Sequence, residues 1–430
     1  MTVRNVFDTP IIMTICLMAF ISCGTSTDKP APDKTVPIFK EVRAITASDA
    51  EDFGYFGTCV AIDGDYAIVG GGFSGDVRGK AYILYRLQGG ADGWGETKIL
   101  RGSDTVNLGS FGYAVAMAGE LAMVGDANAE NDDSGAAYIF SRDLGGPGNW
   151  GEARKLVAAD PQIQSRFGAS VAIDGDIAAV GAPEAGSGMA RGAVYVFYRN
   201  AGGPDQWGQV KRIVPTSPDH YNLFGTSIAL KDGVLAVGAP FSGMGQLYGT
   251  AYVFYRDTGG ADNWGEVKRL VANDAETGDQ LGSSIGLDGN YVVVGSEYED
   301  GAGDMRGAAY VFHRALGGPD SWGQTRKLRA SDAEDQDQFG YSVAVSGTDF
   351  LVGAPSKGQY PQQYGLVLFY SPDLPGGWGE RCRCMASDAQ DDDGYGFAVA
   401  IDGDYAIVGA RSKNGPGSYR GAVYILKRDR

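Results

Sequence analysis

Carboxylates are the chemistry-bearing residues this sequence offers in quantity, and they come in short runs. Asp126, Asn128, Glu130 and Asp132 alternate along one stretch, with Asp133 behind them. Alternate side chains of an extended segment turn the same way, so this run leads as a candidate for Ca2+, which takes six or more oxygens. Glu297, Glu299, Asp300 and Asp304 form a second group, and Asp332, Glu334, Asp335 and Asp337 a third. A fourth holds Asp388, Asp391, Asp392 and Asp393. None has a recognised ligand spacing, and solvated acidic loop tips are the plainer reading. Support for catalysis is thin. Only His220 and His313 are present, with no Ser/His/Asp set, phosphate-cradling loop or His–Cys metal cluster. Carboxylate pairs can do acid–base work on glycans, but nothing singles out a pair. A protein without enzymatic activity is the expectation.

Charge narrows the partners further. Against 53 acidic residues stand 36 basic ones, a net charge of −17. Such a field repels a phosphate backbone, which argues against nucleic acid and favours cations or cationic ligands.

The elements that must position these groups repeat. An aromatic-Gly pair recurs at Phe56, Phe111, Phe167, Phe224, Phe339 and Tyr395, with Leu281 replacing the aromatic once, at spacings of 55 to 58 residues. All six tryptophans, 94, 150, 207, 264, 322 and 378, keep the same period. Each copy breaks into four strand signals. In the third, strand a is Ser170-Val171-Ala172-Ile173 and strand b Ala178-Ala179-Val180 before Gly181-Ala182-Pro183. Strand c is Val194-Tyr195-Val196-Phe197 and strand d follows Trp207-Gly208. Tight turns with Gly at 64, 119, 175, 233, 289, 347 and 403 join a to b, where glycine accepts positive φ. Four-stranded units at this period predict an all-β, seven-bladed β-propeller over residues 38–430. Closure is predicted too. Lys40 to Ala47 read as a strand d with no blade before it, and Gly421 to Arg428 as a strand c with none after it. Pairing these ends leaves no long open edge.

The copies resemble the FG-GAP repeat, found in the head of integrin α chains and in many bacterial proteins. Phe-Gly stands at 56, 111, 167, 224 and 339, and Gly-Ala-Pro at 181, 238 and 353. The resemblance implies the propeller fold and says little about function, because propellers host many unrelated activities. Integrin members hold Ca2+ in an acidic loop between two strands of a blade. The a–b connections here are tight turns, so that property does not carry over.

The N-terminus is of another kind. An apolar run from Ile11 to Ser22 suits a signal segment over residues 1–22 and is too short to span a bilayer. Phe20-Ile21-Ser22-Cys23 resembles a bacterial lipoprotein box, which implies that Cys23 carries the lipid. Phe20 and Asp8 depart from that pattern, and an ordinary secretory signal or an early start codon are the alternatives. Residues 23–37 then form a flexible polar linker. Gly24 lacks the acidic residue of inner-membrane retention, so the expected destination is the outer membrane.

Two periodic features invite a functional reading. An Asp stands seven residues before the aromatic at 49, 104, 160, 274, 332 and 388, with Ser217 in the fourth copy. It makes either a ring of carboxylates or a recurring turn residue, and the turn is the simpler reading. The tryptophans make either a sugar-stacking set or packing anchors for the c–d loop, and their fixed place favours packing. Cys59 replaces Ala or Ser of other copies and reads as a small buried filler. Cys382 and Cys384 share one face of a strand, a poor geometry for bonding each other.

The expected function is a cell-envelope binding or adhesion module whose protein or glycan ligand meets the b–c and d–a loops. Those loops differ most between copies: 73–78, 126–134, 184–191, 241–248, 297–306, 356–364 and 411–420. A glycan-acting hydrolase using carboxylates on that face, and a passive envelope component, are the alternatives.

Overall fold

The structure is a computed structural model and describes residues 39–71, 79–105, 110–129, 133–186, 190–216, 222–243, 247–301, 303–358, 363–372, 377–415 and 417–429. Cys16, Cys23, Glu130, Asp132, Ser217, His220 and the loop at 73–78 lie outside the described residues. Among the described residues every regular element is a strand, 28 in all, arranged as seven four-stranded antiparallel sheets. The predicted seven-bladed propeller is the fold.

Six blades are continuous in sequence. The third runs Ser170–Asp174, Ile177–Ala182, Ala193–Tyr198 and Gly208–Ile213, which are strands a to d from the centre outward. The seventh takes Tyr395–Asp402, Tyr405–Ala410 and Ala422–Arg428 from the C-terminus and Phe39–Ile45 from the N-terminus. Phe39 pairs with Arg428 and Ile45 with Val423, as the closure reading required. Even an irregularity is reproduced. In blade 3 the c–d register slips between Val196 and Phe197, which leaves Val210 unpaired, and the N-terminal strand slips in the same way at Val42. The borrowed strand is a faithful strand d.

Strands b and c are buried on both faces because each blade is sandwiched between two others. This explains their unbroken apolar runs, such as Ala178-Ala179-Val180. Strand d, at the rim, is only partly buried. The aromatic of each Phe-Gly pair is fully buried and meets a strand-c tyrosine edge-on, as in Phe167–Tyr195 at 5.4 Å; in blade 6 Phe339 meets Tyr370, two positions along the strand. The two glycines of the repeat meet each other across blades. A Cβ on Gly181 would overlap the carbonyl of Gly225 in the next blade, and Gly225 itself has φ +96°. The same meeting at Gly409 and Gly57 closes the ring. Phe-Gly and Gly-Ala therefore recur together because one blade's backbone packs directly on the next.

Polar side chains tie the blades at the rim. Glu96 accepts from the N–H and Oγ of Ser48, Glu152 from those of Ser103, and Glu41 of the N-terminal strand from those of Ser387. Nearer the axis, Ser170 Oγ donates to the Gly225 carbonyl at 2.7 Å. Cys59 holds the same position in blade 1, its Sγ 3.1 Å from the Gly112 carbonyl. Burial pushes the Cys59 thiol up to about 12, so it is a protonated donor joining two blades.

Candidate functional site

Antiparallel strands alternate direction, so all b–c and d–a loops emerge on one face of the ring and all a–b and c–d connections on the other. Contacts between loops show the first grouping. Gly192 of blade 3 bridges to Phe224 of blade 4, and the Asp304 N–H of a b–c loop reaches Asp335 of the following d–a loop (3.2 Å).

The periodic aspartates sit at the base of the d–a loops, partly exposed, with their carboxylates bonded to the blade that follows. Asp49 accepts from Tyr82 Oη (2.9 Å), Asp104 from Tyr138 (2.8 Å) and Asp388 from Tyr424 (2.7 Å). Lys80, Lys155 and Lys413 approach the same carboxylates. In blade 6, where Leu368 stands in place of the tyrosine, Asp332 is held by Arg383 instead. Each aspartate anchors its loop to the blade that follows.

The acidic groups named from sequence are dispersed among internal partners. Asp126 is buried; it accepts from the Ser110 N–H (2.7 Å), and burial raises its pKa. Its Oδ2 lacks a partner, while Asn128 reaches the same Ser110 through its backbone N–H. Glu130 and Asp132, the other two members of that run, lie outside the described residues. Among the described residues no three His, Cys, Asp or Glu side chains converge as a metal site would require. Glu299 is buried and takes Lys327 Nζ (2.8 Å) and Arg329. Asp337 takes Lys357 Nζ (2.8 Å), and Asp393 takes Lys413 Nζ (2.7 Å), both buried. Glu299, Asp337 and Asp393 are thus withdrawn from the surface. Asp335 is exposed but paired with Arg306, and Asp300 caps the Met305 N–H, while Asp391 faces solvent.

The opposite face is occupied by blade-to-blade contacts. Five of the six tryptophans are buried and pack on the preceding blade. Trp264 Nε1 donates to Tyr198 Oη and Trp322 Nε1 to Tyr255 Oη. Neither offers a ring face to a sugar. The central channel opens here into a cavity of about 200 Å3 edged by Asp63, Asp174, Asp288 and Asp402. Each of these carboxylates accepts from a backbone N–H in the next a–b turn: Gly119, Asp232, Gly347 and Gly64 in that order. Cys382 and Cys384, on the outer strand of blade 6, bring their sulfurs to 3.4 Å while remaining free thiols, under the Phe39 carbonyl of the N-terminal strand.

A family model for the FG-GAP repeat matches seven segments: residues 39–85, 94–140, 150–197, 207–254, 264–312, 322–365 and 378–426. The chain belongs to the FG-GAP repeat family. No curated protein sequence matches it.

Against the FG-GAP pattern a few residues near the axis of the loop face stand out. After the Phe-Gly, Tyr-Gly or Leu-Gly pair, Thr58, Ala169, Thr226 and Ser283 are small, whereas Tyr113, Tyr341 and Phe397 are aromatic. In place of the proline found at 183, 240 and 355, blades 5 and 7 carry Glu297 and Arg411. Tyr341 and Phe397 pack at 4.6 Å, and the Arg411 guanidinium lies 3.8 Å over the Phe397 ring. Burial raises the Tyr341 phenol, the positive Arg411 opposes that shift and Glu297 adds to it. Glu297 had been visible only as one member of an acidic run. Tyr113, Tyr341 and Phe397 belong to no motif and Arg411 only opens a variable loop; aligning the seven copies on one another exposes all four.

Burial pushes the Glu297 carboxyl up to about 7 and that of Asp279 up to about 6. Both folded-state values lie above the unfolded range near 4. The folded form then binds more protons than the unfolded form between pH 4 and 7, and stability falls as pH rises through that window. Glu297→Gln is expected to melt several degrees above the parent at pH 8, with the gap closing as pH drops to 4. Calorimetry on both proteins checks this, and a gap independent of pH would refute it.

Proposed function

We propose that this propeller is a non-enzymatic ligand-binding or adhesion module of a cell-envelope lipoprotein, working through the face that carries its b–c and d–a loops. The observation that carries the reading is a division of labour. On the opposite face, turns and tryptophans join the blades, whereas the b–c and d–a loops differ most between copies, with Tyr113, Tyr341, Phe397, Glu297 and Arg411 departing from the repeat near the axis. A rigid scaffold with its variation on one side is how binding sites are commonly built. The ligand is a surface protein or glycan. The charge of −17 disfavours nucleic acid.

A screen of glycans and envelope proteins against the purified head, with and without chelator, tests this reading. Binding should be lost on substitution of loop-face residues and should survive Arg256→Ala on the opposite face, which is paired with Asp262. The reverse pattern would end the proposal, and loss of binding with chelator would restore a cation to the site.

Attachment to the membrane rests on Cys23. Several acyl chains on one cysteine hold a protein at a bilayer where a single chain would not. Cys23→Ser is expected to abolish fatty-acid labelling and move the protein wholly into the soluble fraction. A parent that carries no label and is already soluble would exclude the anchor.

A further inference from the structure

We propose that the cleft between blades 6 and 7 on the loop face binds a carboxylate-bearing sugar, the uronic-acid unit of an acidic polysaccharide. The inference rests on the loop-face reading above and narrows it to a place and a ligand class. The cleft has a volume of about 380 Å3, within the roughly 300–1,000 Å3 of small-molecule sites.

Arg411 is the centre of it. Other cations of these loops meet carboxylates: Lys80 with Asp49, Arg306 with Asp335, Lys357 with Asp337, Lys413 with Asp393 and Arg420 with Asp52. Arg411 has no hydrogen-bond acceptor and no carboxylate among the described residues. Its guanidinium lies 3.8 Å from the centre of the Phe397 ring, with Tyr55 at 5.8 Å. Stacked guanidinium groups keep their in-plane N–H donors available, and that planar fork matches a carboxylate in bidentate fashion. Phe397 is itself wedged against Tyr341, so the fork is held in place before any ligand arrives.

The surroundings favour a sugar over an acidic peptide. From Arg411 an aromatic run leads outward: Tyr55 to Tyr419 at 5.7 Å, then Tyr419 to Phe53 at 5.8 Å. Tyr419 and Phe53 remain 40% and 51% exposed, offering flat faces at the rim on which the C–H face of a pyranose ring can lie. Gln338, Gln363, Ser412 and Asp392 line the same cleft. Sugar hydroxyls both donate and accept, and this mixture of amides, hydroxyl and carboxylate serves both needs. In a chain of net charge −17, the overall field opposes an anion, so the affinity depends on this one local arginine.

The test is calorimetric titration of the full chain with an oligouronide, its neutral carboxyl-reduced counterpart, an acidic peptide and inorganic sulfate. The oligouronide is expected to bind, with at least 20-fold weaker binding of the neutral sugar and no competition from sulfate. Arg411→Ala should weaken the oligouronide at least 20-fold. Arg411→Lys, which keeps the charge without the fork, should fall between the two, and melting curves must show both variants folded. Tyr419→Ala should weaken binding without changing the preference for the acid. No binding by the parent, or equal binding by parent and Arg411→Ala, overturns the site. Arg411-dependent binding of the peptide but not the sugar, or full competition by sulfate, overturns the ligand class. An oligouronide that ignores Arg411 but is lost in Arg256→Ala overturns the loop-face reading itself.

Discussion

Removal of residues 38–48 is expected to abolish the folded monomer. The deletion takes the outer strand from blade 7, and with it the buried side chains of Phe39, Ile45 and Ala47. Burial of a large apolar side chain contributes about 1.5–3 kcal/mol. The lost strand ladder to Ala422–Arg428 and the Glu41–Ser387 contact with blade 6 add to that sum. The total approaches the whole net stability of a typical domain, about 5–15 kcal/mol. The exposed strand c would also offer its unpaired backbone to other molecules. Aggregation on size-exclusion chromatography and loss of the cooperative melting transition are the expected readouts. A deletion variant that stays monomeric and melts like the parent would show that the ring does not depend on this strand.

The second large effect is expected from Lys413→Met. Asp393 is fully buried, and Lys413 Nζ at 2.7 Å is its one charged partner among the described residues. Taking away one member of a buried pair leaves an uncompensated charge and costs about 3–5 kcal/mol. Burial already raises the Asp393 pKa, with Lys413 pulling the other way. Without the lysine the carboxyl shifts further up, so the folded variant holds its proton more tightly than the unfolded chain. Its stability therefore falls as pH rises above the ordinary carboxylate range and returns as pH drops toward 4. The double variant Lys413→Met with Asp393→Asn removes both charges and should recover most of the loss at pH 8. Melting curves of the three proteins at pH 4.5 and 8 decide this. A single variant as stable as the parent at pH 8 would mean that water compensates the carboxylate.

Blade number, strand order, the a–b turns and the closing strand were all determined by the sequence alone. The reason is that strand and turn preferences act over a few residues, and seven copies repeat the same message. Phe167-Gly168 and Gly181-Ala182 announce a blade without reference to any distant partner. The fate of the polar groups was decided only by the tertiary structure. Asp49 looked like any member of a carboxylate ring until Tyr82 and Lys80 were seen to enclose it. Glu299, Asp337 and Asp393 looked like surface acids, but lysines and arginines from neighbouring segments draw them inside. The cleft at Arg411 depends on longer-range encounters still. Tyr55 comes from the first blade, Tyr341 from the sixth and Phe397 from the seventh, and ring closure brings together residues more than three hundred positions apart. Periodicity specifies where strands run, but the pairing of side chains between blades depends on the packed ring, which no single repeat contains.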